Sequence, residues 1–311
     1  MKSVYQIEDL GSRSVLDDGH ELPAILAVIG QPIAHSASPI MHQAALEAAQ
    51  IRGRYIRLEV APGRVADAVA RMRELGFRGC NVTVPHKLEA MECCAPDMHA
   101  TQLGAVNTLV FDSEKTIGYN TDGPGLQAAL RHDFGDKYTK TNVLLLGAAG
   151  GAGRAIACQL ALDGVQRLVL VNRSTEKLPP LIDHLKKLNS SLEVHALCQE
   201  DDSFQRHCHA SDLIINASSV GLRAGDSSIL HAADLRAHQL VYDIIYQPSP
   251  TPLLAMACSV GCKTSNGLSM LIAQGALAFQ HWFAGTDPLA TMQQAMAHFS
   301  AAGSVGSSKP R

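Results

Sequence analysis

The feature that most restricts what this chain can fold into is a short apolar run, Asn142–Leu146. It ends in Gly147-Ala148-Ala149-Gly150-Gly151-Ala152-Gly153 and continues as a helical pattern through Leu162. A strand, a glycine turn and a helix in succession is the context in which a dinucleotide-binding unit is built. Glycines let the backbone approach a pyrophosphate, and the helix N-terminus offers unpaired N–H groups and positive potential. Glycines 147, 150 and 153 fit G-x-x-G-x-x-G rather than G-x-G-x-x-G, with Gly151 additional. A turn tightened only for strand–helix packing would use the same residues, so the glycines alone leave both readings open.

The end of the next apolar run, Arg167–Val171, sharpens the choice of cofactor. An acidic residue commonly stands there to bond the ribose 2′-hydroxyl. Here the chain reads Asn172-Arg173-Ser174, with Lys177 one helical turn on. A guanidinium and a hydroxyl suit a 2′-phosphate, and two charge-assisted hydrogen bonds would favour NADP over NAD by roughly 100-fold. A solvated surface arginine is the plainer alternative.

Apolar runs alternate with helical spacing along most of the chain, which predicts two α/β units with largely parallel sheets. In the first unit the expected strands are Ala24–Ile29, Tyr55–Val60, Cys80–Val84 and Ala105–Phe111. In the second they are Asn142–Leu146, Arg167–Val171, Leu192–Ala196, Leu213–Asn216 and Leu240–Ile244. The expected division is 1–122, 123–265 and 266–311. Residues 1–23 form a polar N-terminal extension outside the core. The chain after Gly267 is helical to about Ser300, and its last ten residues are disordered.

At 311 residues the chain has room for two domains. A net charge of −3 and a single Trp give no long-range attraction or stacking surface for nucleic acid. The longest apolar stretches are too short for a membrane span, and Glu8, Asp9, Asp17 and Asp18 interrupt any secretory h-region. Eight cysteines without a C-x-x-C read as reduced thiols of a cytoplasmic protein. His207-Cys208-His209 lacks the second ligand pair that a zinc site needs, so no metal is expected.

Several upstream segments carry polar groups where packing does not ask for them. Ser36 and Ser38 precede a helix opened by Pro39, a seat for a carboxylate, although Ser38 is equally suited to be a simple N-cap. Asn81 and Thr83 share one face of an apolar strand, and Pro85 stops that strand just before Lys87, which on its own reads as a surface lysine. Asp122, at the junction of the two units, caps the following helix or lines a cleft between substrate and cofactor.

Taken together these segments resemble the shikimate dehydrogenase family. The carriers are GQPIAHSASP (30–39), NVTVPHK (81–87), GAVNT (104–108), NTDG (120–123), the glycine turn, NRS (172–174), NASSVG (216–221) and GLSMLIAQ (267–274). They stand in family order and span nearly the whole globular part. The resemblance implies NADP-dependent reduction of 3-dehydroshikimate to shikimate, within aromatic amino acid and chorismate biosynthesis. It implies that Ser36 and Ser38 bind the substrate carboxylate and that Thr83, Asn107 and Gln274 hold ring hydroxyls, with Tyr246 nearby. Lys87 and Asp122 would form the catalytic pair. Gly147, Ala148, Gly150, Gly151, Ala152, Gly153, Asn172, Arg173, Ser174, Lys177, Ile244 and Gly267 would contact NADP. The C-terminal helices would return to the substrate domain, and the protein would be a monomer or homodimer acting on a small molecule. Three departures stand out: Ala149 looks like an insertion in the turn, Ile244 replaces a common Met, and the N-terminal extension is unmatched. The rivals are an NAD-linked quinate/shikimate dehydrogenase and a non-catalytic ligand sensor, which would have lost Lys87 or Asp122.

Overall fold

The computed structural model describes residues 2–223 and 225–305. The chain divides into two compact units, one made of Met1–Thr121 with Ile272–Arg311 and the other of Asp122–Leu271. The second crossing falls inside the helix Leu268–Trp282 rather than at 265/266.

The first unit is built on a seven-stranded sheet. Its strands are β1 (Tyr5–Gln6), β2 (Ala24–Gly30), β3 (Arg54–Glu59), β4 (Gly79–Val82), β5 (Ala95–Pro96), β6 (Thr108–Phe111) and β7 (Thr116–Tyr119). They lie in the order β1-β3-β2-β4-β6-β7-β5. The pairs on the β1 side are parallel; β6 runs antiparallel to β4 and β7 antiparallel to β6. The expected parallel pattern holds where helices cover buried apolar runs, as in the fully buried β4. It gives way where a short hairpin, β6–β7, needs no crossover helix.

The N-terminal segment belongs to this core, contrary to the sequence expectation. β1 pairs with β3, and Tyr5, Ile7, Leu10 and Leu16 are buried in the cluster that includes Ile56, Leu58 and Met72. Arg54 ties the segment down. Its guanidinium donates to Leu22 O at 2.7 Å, to Asp17 Oδ1 at 2.7 Å and to Tyr5 Oη at 3.0 Å. The apolar residues escaped notice because they are spaced irregularly through a 3-10 turn and a four-residue helix, so no single period joins them.

The second unit carries six parallel strands: β8 (Asn142–Leu146), β9 (Arg167–Val171), β10 (Glu193–Leu197), β11 (Leu213–Asn216), β12 (Leu240–Asp243) and β13 (Lys263–Asn266). The order β10-β9-β8-β11-β12-β13 reverses direction beside β8. That reversal is the switch point of a doubly wound fold, where crevices open at the carboxyl ends of the strands. β13 was not expected, because its sequence Lys-Thr-Ser-Asn is that of an edge strand with one neighbour and little apolar content.

At the C-terminus the helix Leu289–Val305 runs past Ser300, and residues 306–311 of the expected disordered tail lie outside the described residues. No helix among the described residues is long and apolar enough to cross a membrane. No group of three potential metal ligands occurs among them either. His209 bonds Ala233 O through Nε2 at 2.7 Å and accepts from Arg236 through Nδ1 at 2.9 Å.

Candidate functional site

In the second unit the glycine turn does two different jobs. Gly147 has φ +76°, and a Cβ there would stand 2.8 Å from Ser218 N. A Cβ on Gly153 would stand 2.2 Å from Gly147 O, so the helix Gly151–Leu162 can start this close to β8 only with glycine at 153. Gly151 differs: a Cβ there would meet nothing within 4 Å. The turn is closed by its own amides, with Gly147 N and Ala148 N donating to Val171 O and Gly150 N to Gly147 O. The first N–H groups of the helix have no intrahelical partner, and Gly151 and Ala152 lie among them.

The extra residue, Ala149, is absorbed by a side chain. Its N–H donates to Asn172 Oδ1 at 3.4 Å, while Asn172 Nδ2 donates to Ser174 O at 3.0 Å. Asn172 thus links the turn to the loop that carries Arg173. A pocket of about 450 Å³ opens between them, lined by Gly147, Ala149, Gly150, Asn172, Arg173, Ser174 and Lys177. Sequence reasoning missed its opposite wall: Gln199 and Glu200 after β10, and Ser218, Ser219 and Val220 after β11. The signal was present, since both segments follow strand ends next to the switch point. Ala148 is fully buried beneath the turn. Ile244 and Gly267 meet through the backbone: a Cβ on Gly267 would stand 1.9 Å from Ile244 O, so this glycine is required by packing. Tyr246, half-buried in the loop after β12, is also in this unit.

In the first unit the polar residues converge. Asn107 precedes β6 and is buried with Thr108 and Thr121. Thr121 N donates to Asn107 Oδ1 at 2.8 Å, and Asn107 Nδ2 donates to Thr121 Oγ1 at 3.0 Å and to Gln274 Oε1 at 3.5 Å. Gln274 comes from the helix Leu268–Trp282, so the returning C-terminal segment completes the group. The network continues inward: Thr108 Oγ1 donates to Asn107 Oδ1, Asn81 Nδ2 to Thr108 Oγ1 at 3.1 Å, and Tyr55 Oη to Asn81 Oδ1 at 2.7 Å. Asn81 therefore points into this network from β4. Thr121 and Tyr55 were not assigned a role from sequence; only through-space pairing reveals them.

Thr83 follows β4 and extends its ladder, donating from N to Ile29 O at 2.9 Å. The segment after it is held rigidly: His86 Nε2 bonds Val60 O at 2.7 Å, and Glu89 accepts from Gly63 N and Val65 N. Lys87 lies half-buried between these anchors, and its carbonyl accepts from Val106 N at 3.1 Å, next to Asn107. Ser38 is not an N-cap. The cap position of Ser38–Ala48 is Ala37, no side chain caps that helix, and Ser38 N donates to Ser36 Oγ at 3.3 Å. Asp122 follows Thr121 directly; it is buried and stands in the first turn of the helix Asp122–Phe134.

Residues 28–109 match the family model described as the shikimate dehydrogenase substrate binding domain. A shikimate dehydrogenase (NADP(+)) of Methanothrix thermoacetophila is 40% identical over 88% of this chain and 96% of its own length. The chain belongs to the shikimate dehydrogenase family. Solved structures of the family agree with the fold. A shikimate dehydrogenase in complex with NADP+ superposes with a TM-score of 0.80 at 35% identity, covering 89% of this chain and 95% of that one. The Thermus thermophilus enzyme in complex with NADP(H) and shikimate gives 0.77 at 32% identity, covering 88% and 98%. The family assignment therefore covers both units and nearly the full length of its relatives.

Proposed function

We propose that this protein is an NADP-dependent oxidoreductase that interconverts 3-dehydroshikimate and shikimate. The observation that carries the reading is the buried Asn107–Thr121–Gln274 group, which presents amide and hydroxyl functions of the kind that read a polyhydroxylated ring. Its neighbour along the backbone contacts is Lys87, and the residue that follows it is Asp122.

The second unit fits a phosphorylated dinucleotide. The open face at Gly151 leaves the helix start accessible to a pyrophosphate, and Arg173 with Lys177 offers cations for a 2′-phosphate. NADPH held by the glycine turn, Arg173 and Lys177 would supply hydride for a ketone carbon. The ketone oxygen becomes an alkoxide, and Lys87 Nζ, as ammonium, gives it a proton. Asp122 accepts a hydrogen bond from a substrate hydroxyl. Ser36 and Ser38 receive the carboxylate at the start of the helix Ser38–Ala48, where the dipole favours negative charge. Thr83 and Tyr246 complete the contacts to the acid.

Initial rates of shikimate and quinate oxidation, each with NADP and with NAD, test the proposal. Turnover concentrated on shikimate with NADP is expected. Faster turnover of quinate with NAD would overturn the role given to Arg173, and no turnover in any combination would overturn the activity itself.

A further inference from the structure

The carboxylate seat as read above consists of two neutral hydroxyls, and an anion leaving water for such a seat needs compensating charge. β3 places one beside it. Arg57 lies between the buried residues Ile56 and Leu58, so the strand's alternation turns its side chain away from theirs. Its guanidinium donates twice to a single acceptor: Nε to Ser36 O at 2.9 Å and Nη2 to the same oxygen at 2.7 Å. A carbonyl has two lone pairs, and a planar guanidinium edge can occupy both. The Ser36 carbonyl is thereby fixed while its hydroxyl accepts from Ser38 N.

We infer that Arg57 is a positioning residue of the substrate site: it locks the Ser36–Ser38 turn and supplies the positive charge that makes the site select an anionic acid. The inference rests on the reading of Ser36 and Ser38 as the carboxylate seat. The surroundings agree with it. Tyr55, two residues before Arg57, stacks on His42, one helical turn beyond Ser38, at 4.4 Å between ring centroids. Burial pushes the Tyr55 phenol well up, and the side chain of Ser38 and the charge of Arg57 pull against that shift. A residue needed only to pin a loop could be any neutral donor; a paired guanidinium adds charge at that point.

The test compares shikimate with its neutral carboxamide analogue in the wild type and in Arg57→Gln. Arg57→Gln should raise the KM for shikimate about tenfold to hundredfold, the range for losing a hydrogen bond to a charged group. It should leave kcat and the KM for NADP within about twofold of the wild type, and raise the KM for the carboxamide, which shares the loosened turn, at least about fivefold less than that for shikimate. An equal loss on both substrates would reduce Arg57 to a structural pin and overturn the inference, as would an unchanged KM for shikimate. Should Arg57→Gln fail to fold, Arg57→Lys takes its place, keeping the charge but losing the paired donation. Because the charge stays, it should raise the two KM values together, keeping their ratio within about twofold of the wild type; a rise confined to shikimate, or no rise in either, would overturn the inference. Ser36→Ala and Ser38→Ala are measured alongside. If neither weakens shikimate, the seat itself is misassigned; if they do and Arg57→Gln does not, only the role of Arg57 falls.

Discussion

Asn107 and Thr121 hold each other by three hydrogen bonds, Thr121 N to Asn107 Oδ1 at 2.8 Å, Asn107 Nδ2 to Thr121 Oγ1 at 3.0 Å and Thr121 Oγ1 to Asn107 Oδ1 at 3.2 Å. The pair is buried, and Asp122 is the next residue along the chain. One carboxamide therefore sets the point from which the chain delivers Asp122. Asn107→Ala removes all three bonds and strands the buried Thr121 N–H. Stability should fall by about 1–3 kcal/mol, and kcat/KM for shikimate by more than tenfold, with the KM for NADP unchanged. Steady-state kinetics and urea denaturation check this together; normal kcat/KM would detach Asn107 from the site.

Arg173 lines the pocket beside the glycine turn with Lys177, and in the proposed function it selects the cofactor. Arg173→Ala should raise the KM for NADP roughly ten- to hundredfold and leave the KM for NAD nearly as it was. Parallel titrations of the two cofactors at saturating shikimate measure the ratio. Equal effects on both would show that Arg173 does not meet the 2′-phosphate.

His42 gives the fold an acid sensitivity. Its ring is fully buried and stacked against Tyr55, and burial, opposed by the side chain of Asn81, pushes its pKa down to about 3. The unfolded chain, with an imidazole near 6.5, binds the proton first as pH falls. Stability is therefore intact above about pH 6.5 and is lost progressively between about 6.5 and 3. At pH 5 the loss from this residue should be about 2 kcal/mol. His42→Phe keeps a stacked ring and should shrink the difference in unfolding free energy between pH 7 and pH 5 by that amount. An unchanged difference would show that His42 does not titrate on unfolding.

The N-terminal segment is a structural part of the first unit. Leu16 is 1% exposed within the main cluster. Leu16→Ala should cost about 2–5 kcal/mol, the range for emptying a buried leucine site. Thermal or urea unfolding measures it. A change within about 0.5 kcal/mol, typical of exposed positions, would return the segment to the periphery.

How much was legible in the sequence follows from how each residue is used. The strands β8, β9 and β11 match their apolar runs residue for residue, because a parallel strand covered on both faces is apolar throughout. β13 and β7 were missed: one is polar, and the other is a four-residue hairpin strand containing a glycine. The glycine turn was legible because a glycine cluster stands out locally, whereas the roles of Asn107 and Gln274 came only from the family resemblance. Arg57, Tyr55 and Gln199 were not legible, since their meaning lies in the carbonyl, amide or pocket they face across the fold. The N-terminal core residues were hidden by their irregular spacing, and their partners on β3 lie far along the chain.

In the proposed reaction Lys87 delivers the proton that turns the ketone into shikimate. That role is tested most directly by the kcat of Lys87→Ala for shikimate oxidation with NADP, measured beside NADP affinity by fluorescence titration. The account predicts a kcat lower by about 10²- to 10⁴-fold, the usual range for general acid–base catalysis, with NADP affinity within about twofold of the wild type. A variant that turns over at the wild-type rate would contradict it.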